Sequence, residues 1–117
     1  MFKLSCSYKD QPADPYQVQV IEGRCRVFSV CVGDPSSTIP KDDLLESQVK
    51  LYTTDYTDGN LKISVYQNQN AAYPPRSIAS YVDFPSEGIL FEDGVYVDMN
   101  FSGGTGIAIF HNGGVTA

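Results

Sequence analysis

The chain predicts an all-β fold: a single antiparallel β-sandwich or jelly-roll-like domain of about eight or nine strands. Three observations carry this. Apolar and polar residues alternate over short runs, as in Val18-Gln19-Val20 and Val95-Tyr96-Val97, which is the period of a half-buried strand. Turn residues punctuate the runs at Gly23, Asp58-Gly59, Asp93-Gly94 and Gly103-Gly104. The one helix-like stretch, Lys41-Asp42-Asp43-Leu44-Leu45-Glu46, is a single turn, too short to be a structural helix. The chain has 117 residues, enough for one domain and too few for two. Residues 1–15 are expected to form an N-terminal strand or arm, and residues 16–117 the sandwich.

The elements follow in order. Phe2 to Tyr8 alternates and predicts a first strand. Pro12 and Pro15 break it, since each restricts the backbone and donates no hydrogen bond. Tyr16 to Glu22 predicts a second strand, with Val18 and Val20 on one face and Gln17, Gln19 and Ile21 on the other. After Gly23, Arg24 to Val32 predicts a central strand with apolar residues on both faces. There Arg26, Phe28, Val30 and Val32 share one side, and Cys25, Val27, Ser29 and Cys31 the other. Gly33 to Pro40 is a loop by composition. Gln48 to Thr53 and Leu61 to Tyr66 predict a hairpin closed around Asp58-Gly59.

Gln67 to Pro75 predicts a polar, proline-ended tip. Arg76 to Phe84 is a strand stopped by Pro85. Glu87 to Glu92 and Val95 to Asn100 predict a second hairpin through Asp93-Gly94. Thr105 to His111 is the closing strand, and Asn112 to Ala117 a frayed tail.

Composition narrows function. The formal net charge is −6, from 14 acidic and 8 basic residues, and the basic residues are scattered. Binding to nucleic acid or to anionic membranes draws on clustered cations, so neither is expected. No long apolar segment suggests a leader or a span. The three cysteines are an odd count, a poor disulfide framework. Cys25 and Cys31 have the same parity on one strand and cannot bridge each other; a pairing of Cys6 with either stays open.

No catalytic constellation is legible. His111 is the one histidine and sits beside Asn112-Gly113-Gly114, where an exposed surface residue is expected. One histidine and three dispersed cysteines match no zinc spacing. Asp55-Tyr56-Thr57-Asp58-Gly59-Asn60 resembles half a calcium loop but lacks the spacing and the distant glutamate. Asp42-Asp43 and Glu92-Asp93 are adjacent pairs whose side chains diverge, so shared-proton chemistry is not expected. Gly103-Gly104-Thr105-Gly106 precedes a strand rather than a phosphate-binding helix. The chain is expected to be no enzyme and to use no metal or cofactor.

From Val18 to Phe110 the pattern resembles small all-β virion proteins of tailed phages. The matching pieces are Gly23-Arg24-Cys25-Arg26-Val27-Phe28, then Val49-Lys50-Leu51-Tyr52-Thr53 before Thr57-Asp58-Gly59. They continue with an aromatic-proline strand end, with Phe91-Glu92-Asp93-Gly94-Val95-Tyr96-Val97, and with Gly106-Ile107-Ala108-Ile109-Phe110. The resemblance implies a structural protein of the particle, a capsid decoration or cement protein. It would be made in the host cytoplasm, bind the major capsid protein or another virion protein, and oligomerise. A head–tail connector, tail or fibre position is a variant of that expectation.

Phe2, Leu4 and Tyr8 on the first strand, and Tyr73-Pro74-Pro75 on the tip, are the candidate partner contacts. The competing expectation is a carbohydrate-binding module using Tyr52, Tyr56, Tyr66, Tyr73, Tyr81 and Tyr96 as stacking platforms, although tryptophan is absent.

Overall fold

A computed structural model describes residues 4–32, 48–66, 68–69, 77–78, 80–99 and 106–117. These residues form twelve strands and one 3₁₀ turn, Asp58–Asn60. The strands are β1 (Ser5–Asp10), β2 (Gln17–Glu22), β3 (Cys25–Val32), β4 (Gln48–Tyr52), β5 (Leu61–Tyr66) and β6 (Asn68–Gln69). They continue as β7 (Ser77–Ile78), β8 (Ser80–Asp83), β9 (Ile89–Phe91), β10 (Val95–Met99), β11 (Gly106–Asn112) and β12 (Val115–Thr116).

Two five-stranded antiparallel sheets make a β-sandwich. The first runs β1-β11-β3-β8, with β9 also on β3; the second runs β12-β2-β10-β4-β5. A small ribbon pairs β6 with β7.

The pairing is nested. β4 pairs with β5, β3 with β8 and β9, β2 with β10, and β1 with β11. The first half of the chain is thus zipped to the second half in reverse order. Rolling this ribbon brings β11 against β3 and β10 against β4. The sheets approach each other at two corners, β1 beside β2 and β12, and β5 beside β8.

The core lies between the sheets. Val27, Val30, Ile107 and Ile109 of the first sheet join Val49, Leu51, Val97 and Met99 of the second in one cluster, all fully buried. Each such side chain contributes about 1.5–3 kcal/mol by leaving water.

Two β-bulges correct the expected faces. The β2–β10 register jumps so that Val95 pairs with Ile21 and Tyr96 with Gln19. Val20 is the extra residue, and Val20 and Ile21 are both buried. The β3–β11 register jumps in the same way, Phe110 pairing with Ser29 and His111 with Val27, which leaves Phe28 extra. An extra residue inverts the parity of everything beyond it. Cys25 and Val27 therefore share the core face with Val30 and Val32, while Cys31 is half-buried. Cys25 and Cys31 do not share a face, and all three thiols are free.

The expected hairpin at Asp93-Gly94 is a crossing between sheets. β9 lies in the first sheet on β3, and β10 lies in the second between β2 and β4. Gly94 makes the crossing at φ +76°, where a Cβ would stand 2.7 Å from the Ile21 carbonyl oxygen.

The expected frayed tail is ordered instead. Gly113 and Gly114 turn at φ +81° and +69°, and β12 pairs with β2. A Cβ on Gly114 would meet the Ile21 side chain at 2.6 Å. The Ala117 N–H donates to the Val20 carbonyl at 3.0 Å.

At the other terminus, residues 5–10 are laddered to β11 along their whole length. The 41–46 turn and the Asp42-Asp43 pair lie outside the described residues. Of the expected tip, Asn68–Gln69 is a short strand.

Candidate functional site

Register assigns each outward side chain on the first sheet. One row across its outer face reads Tyr8, Ala108, Cys31, Tyr81, and the next reads Cys6, Phe110, Ser29, Asp83. At the end near Leu4, Asn112 stands opposite Arg26, which stands opposite Leu90. Five large hydrophobic residues are exposed among those described, and three border this face: Leu4 at 50%, Tyr8 at 56% and Tyr81 at 60%. Ordinary surfaces scatter such residues singly, whereas contiguous apolar surface marks an interaction site. The Tyr8 hydroxyl donates to Asp10 Oδ1 at 2.6 Å, which holds the ring across the strand.

The Leu4 and Tyr8 of the sequence expectation therefore share this face with Phe110 on the neighbouring strand and Tyr81 on the opposite edge, two residues that sequence reasoning did not single out for this face. The missing signal was the register of β11, which no local pattern encodes. Phe2, Tyr73, Pro74 and Pro75 lie outside the described residues.

Beside this face runs a groove. Arg24, Cys25, Arg26, Leu90, Asn112 and Gly113 line one part of about 280 Å³. Arg26, Phe28, Ser86, Glu87 and Asn112 line an adjoining part of about 400 Å³. The bulge that makes Phe28 extra sits beside the groove, an instance of bulges re-aiming side chains at sites.

The outer face of the second sheet differs. Gln17 pairs with Asp98, Asp98 with Lys50, and Lys50 with Ser64. Beyond this polar row, Tyr52, Tyr56 and Tyr96 pack edge to face, with ring centroids 5.7 Å apart in both contacts. Tyr52 is only 4% exposed, contrary to its expected role as an exposed platform. Burial, then the charges of Asp98 and Tyr96, pushes the Tyr56 phenol up to about 12.

His111 is not a surface residue; it is 1% exposed. Its Nδ1 lies 2.8 Å from the Gly113 carbonyl oxygen, an acceptor only, so Nδ1 carries the proton in the neutral ring. Its Nε2 then accepts from the Ser7 hydroxyl at 2.8 Å. Ser7 Oγ in turn lies 2.6 Å from Thr116 Oγ1. This is a serine–histidine contact, but Ser7 is 1% exposed and no substrate can reach it. Its work is structural: it ties β1, β11 and β12 together.

The half-calcium loop closes on itself. Asp55 Oδ1 accepts from the Thr57 N–H at 2.9 Å and from Asn60 Nδ2 at 2.7 Å. Hydrogen bonds from Thr57, and then from Asn60, hold the Asp55 carboxyl below the usual range. Glu92 pairs with Lys62 at 2.9 Å, and that hydrogen bond holds its carboxyl below the usual range. The Cys25 thiol is pushed up to about 11 by burial. No cluster of metal-ligating side chains occurs among the described residues. Comparisons of the chain with protein-family models, with curated proteins and with solved structures find no match.

Proposed function

We propose that the chain is a non-enzymatic structural protein of a bacteriophage particle, a decoration or cement protein that docks on the coat lattice. One observation carries this reading: the outer face of the first sheet presents Leu4 and Tyr8 at one edge and Tyr81 at the other, all exposed, with Phe110 on the strand beside β1. Covering the three exposed side chains contributes about 1.5–3 kcal/mol each. That is enough for docking at many equivalent positions, where avidity adds to single-site affinity. The partner is the major capsid protein or another virion protein, and copies of this chain associate around the lattice symmetry.

The nested pairing supports a jelly-roll winding, an architecture that serves both viral capsids and lectins. Winding alone does not choose between them; the exposed apolar residues on the first sheet favour docking. The sugar-binding reading draws on Tyr52, Tyr56, Tyr66, Tyr73, Tyr81 and Tyr96. Of these, Tyr52 is buried, Tyr52, Tyr56 and Tyr96 meet edge to face, and Tyr81 stands apart on the first sheet, so the described rings form no shared stacking platform.

The test is peptide mass spectrometry on purified particles, with quantitation against the coat protein. A fixed ratio near one copy per coat subunit is expected. Absence from the particles would overturn the proposal and move the sugar-binding reading forward.

A further inference from the structure

The groove beside the docking face holds charge that simple apolar docking does not use. Arg26 and Asn112 line both of its parts, so the two parts adjoin at these side chains. Arg24, in the bend before β3, and Arg26, on β3, both line the smaller part of the groove. Guanidinium groups stay charged throughout the working pH range. Arg26 Nη1 donates to the Glu87 backbone carbonyl at 3.5 Å, a long contact, and among the described residues no shorter hydrogen bond occupies its fork. The ion pair seen among the described residues, Lys62–Glu92, includes neither arginine.

We infer that this groove receives one carboxylate, the acidic side chain of the protein that docks on the first sheet; the inference rests on the docking reading above. A carboxylate is planar and matches the arginine fork in two parallel hydrogen bonds. Asn112 and Ser86 add neutral donors at the groove wall. Phe28 and Leu90 supply apolar surface for the methylene stem of the acidic residue. Glu87 lines the larger part of the groove and the chain carries a net charge of −6. Long-range attraction for any anion is therefore weak, and recognition rests on the short-range, paired hydrogen bonds of the guanidinium fork.

The experiment follows backbone amide shifts of the full chain during titration with N-acetyl-aspartate N-methylamide. The neutral N-acetyl-asparagine N-methylamide and inorganic phosphate serve as the other arms. Saturable shifts at Arg24, Arg26, Asn112 and Gly113 are expected with the aspartate probe alone. Arg26→Gln should weaken that binding about tenfold. Glu87→Gln, on an exposed loop where folding is not at stake, should tighten it.

Equal shifts with the asparagine probe, tighter binding of phosphate, or no saturable shift at these residues would overturn the inference. A Tyr8→Asp/Tyr81→Asp chain separates the two proposals. If the docking reading alone fails, these replacements leave particle binding unchanged while the aspartate probe still shifts the groove. If the groove alone fails, they abolish particle binding and the probe does nothing.

Discussion

The two outer faces of the sandwich are built on the same ladder and carry opposite chemistry. Across the second sheet the central row is Gln17, Asp98, Lys50, Ser64, a polar series that water solvates well. Across the first sheet the corresponding row is Tyr8, Ala108, Cys31, Tyr81. The second face does own aromatic residues, but it folds them over each other. The first face leaves its tyrosines apart and exposed. A sheet needs only one apolar face to build a core. The apolar character of the outer first sheet is therefore surplus to folding, and that surplus is what points to a partner.

Breaking the contrast should have its largest effect on the first face. Tyr8→Asp with Tyr81→Asp should weaken particle binding a hundredfold or more, about 3 kcal/mol, in a co-sedimentation assay. Lys50→Ala on the second face should leave binding unchanged. Cys6, exposed in the row next to Tyr8, should react quickly with a thiol reagent in the free chain and slowly once docked. Cys25 should stay unreactive in both until the chain unfolds.

Beneath the first face, His111→Ala should lower unfolding stability by about 3 kcal/mol, read from the denaturant midpoint. The replacement removes a buried ring and leaves the Ser7 hydroxyl and the Gly113 carbonyl without it. Ser7→Ala should cost about 1 kcal/mol, since only one small group is lost.

On the second face, Tyr56 gives a pH signature. Its phenol rises from an ordinary value of 10 to about 12 in the fold. The folded chain then holds the proton that the unfolded chain has lost. The resulting stability is complete below pH 10 and disappears as pH climbs through about 12. Tyr56→Phe should flatten that alkaline loss in a series of melting curves, and it should remove the latest phenolate band from an ultraviolet titration. The smallest effect belongs to Lys62→Ala. Its pair with Glu92 is a surface one, worth a few tenths of a kcal/mol at about neutral pH.

Much of the sandwich was legible in the sequence because alternation and turn chemistry are local. Val49 and Leu51 on β4, and Ile63 and Val65 on β5, lie inward as their period predicts. Errors arose where the deciding physics is not local. A bulge at Val20 or Phe28 leaves the composition unchanged and inverts the faces beyond it. Asp93-Gly94 is good hairpin chemistry, yet the strands it joins take partners in different sheets. Gly113-Gly114 reads as the loosening of an end, but its positive φ values return the chain to β2.

The candidate site was half legible. Leu4 and Tyr8 stand out as apolar residues of a first strand. Tyr81 joins them only through β3 and β11, and the arginine groove only through β9.

The nested pairing also sets how the chain must fold. Among the paired long strands, only β4 and β5 are near neighbours in sequence, so their hairpin closes the shortest loop. Each further pair spans a longer one, and β1 must find β11 across almost the entire chain. Topologies dominated by such distant partners fold slowly, in milliseconds to seconds. Ser7, His111 and Thr116 act at the last turn of this zipper. Replacing them is expected to leave the folding rate nearly untouched and to accelerate unfolding, the signature of contacts made after the barrier; a slower folding rate would place them in the nucleus.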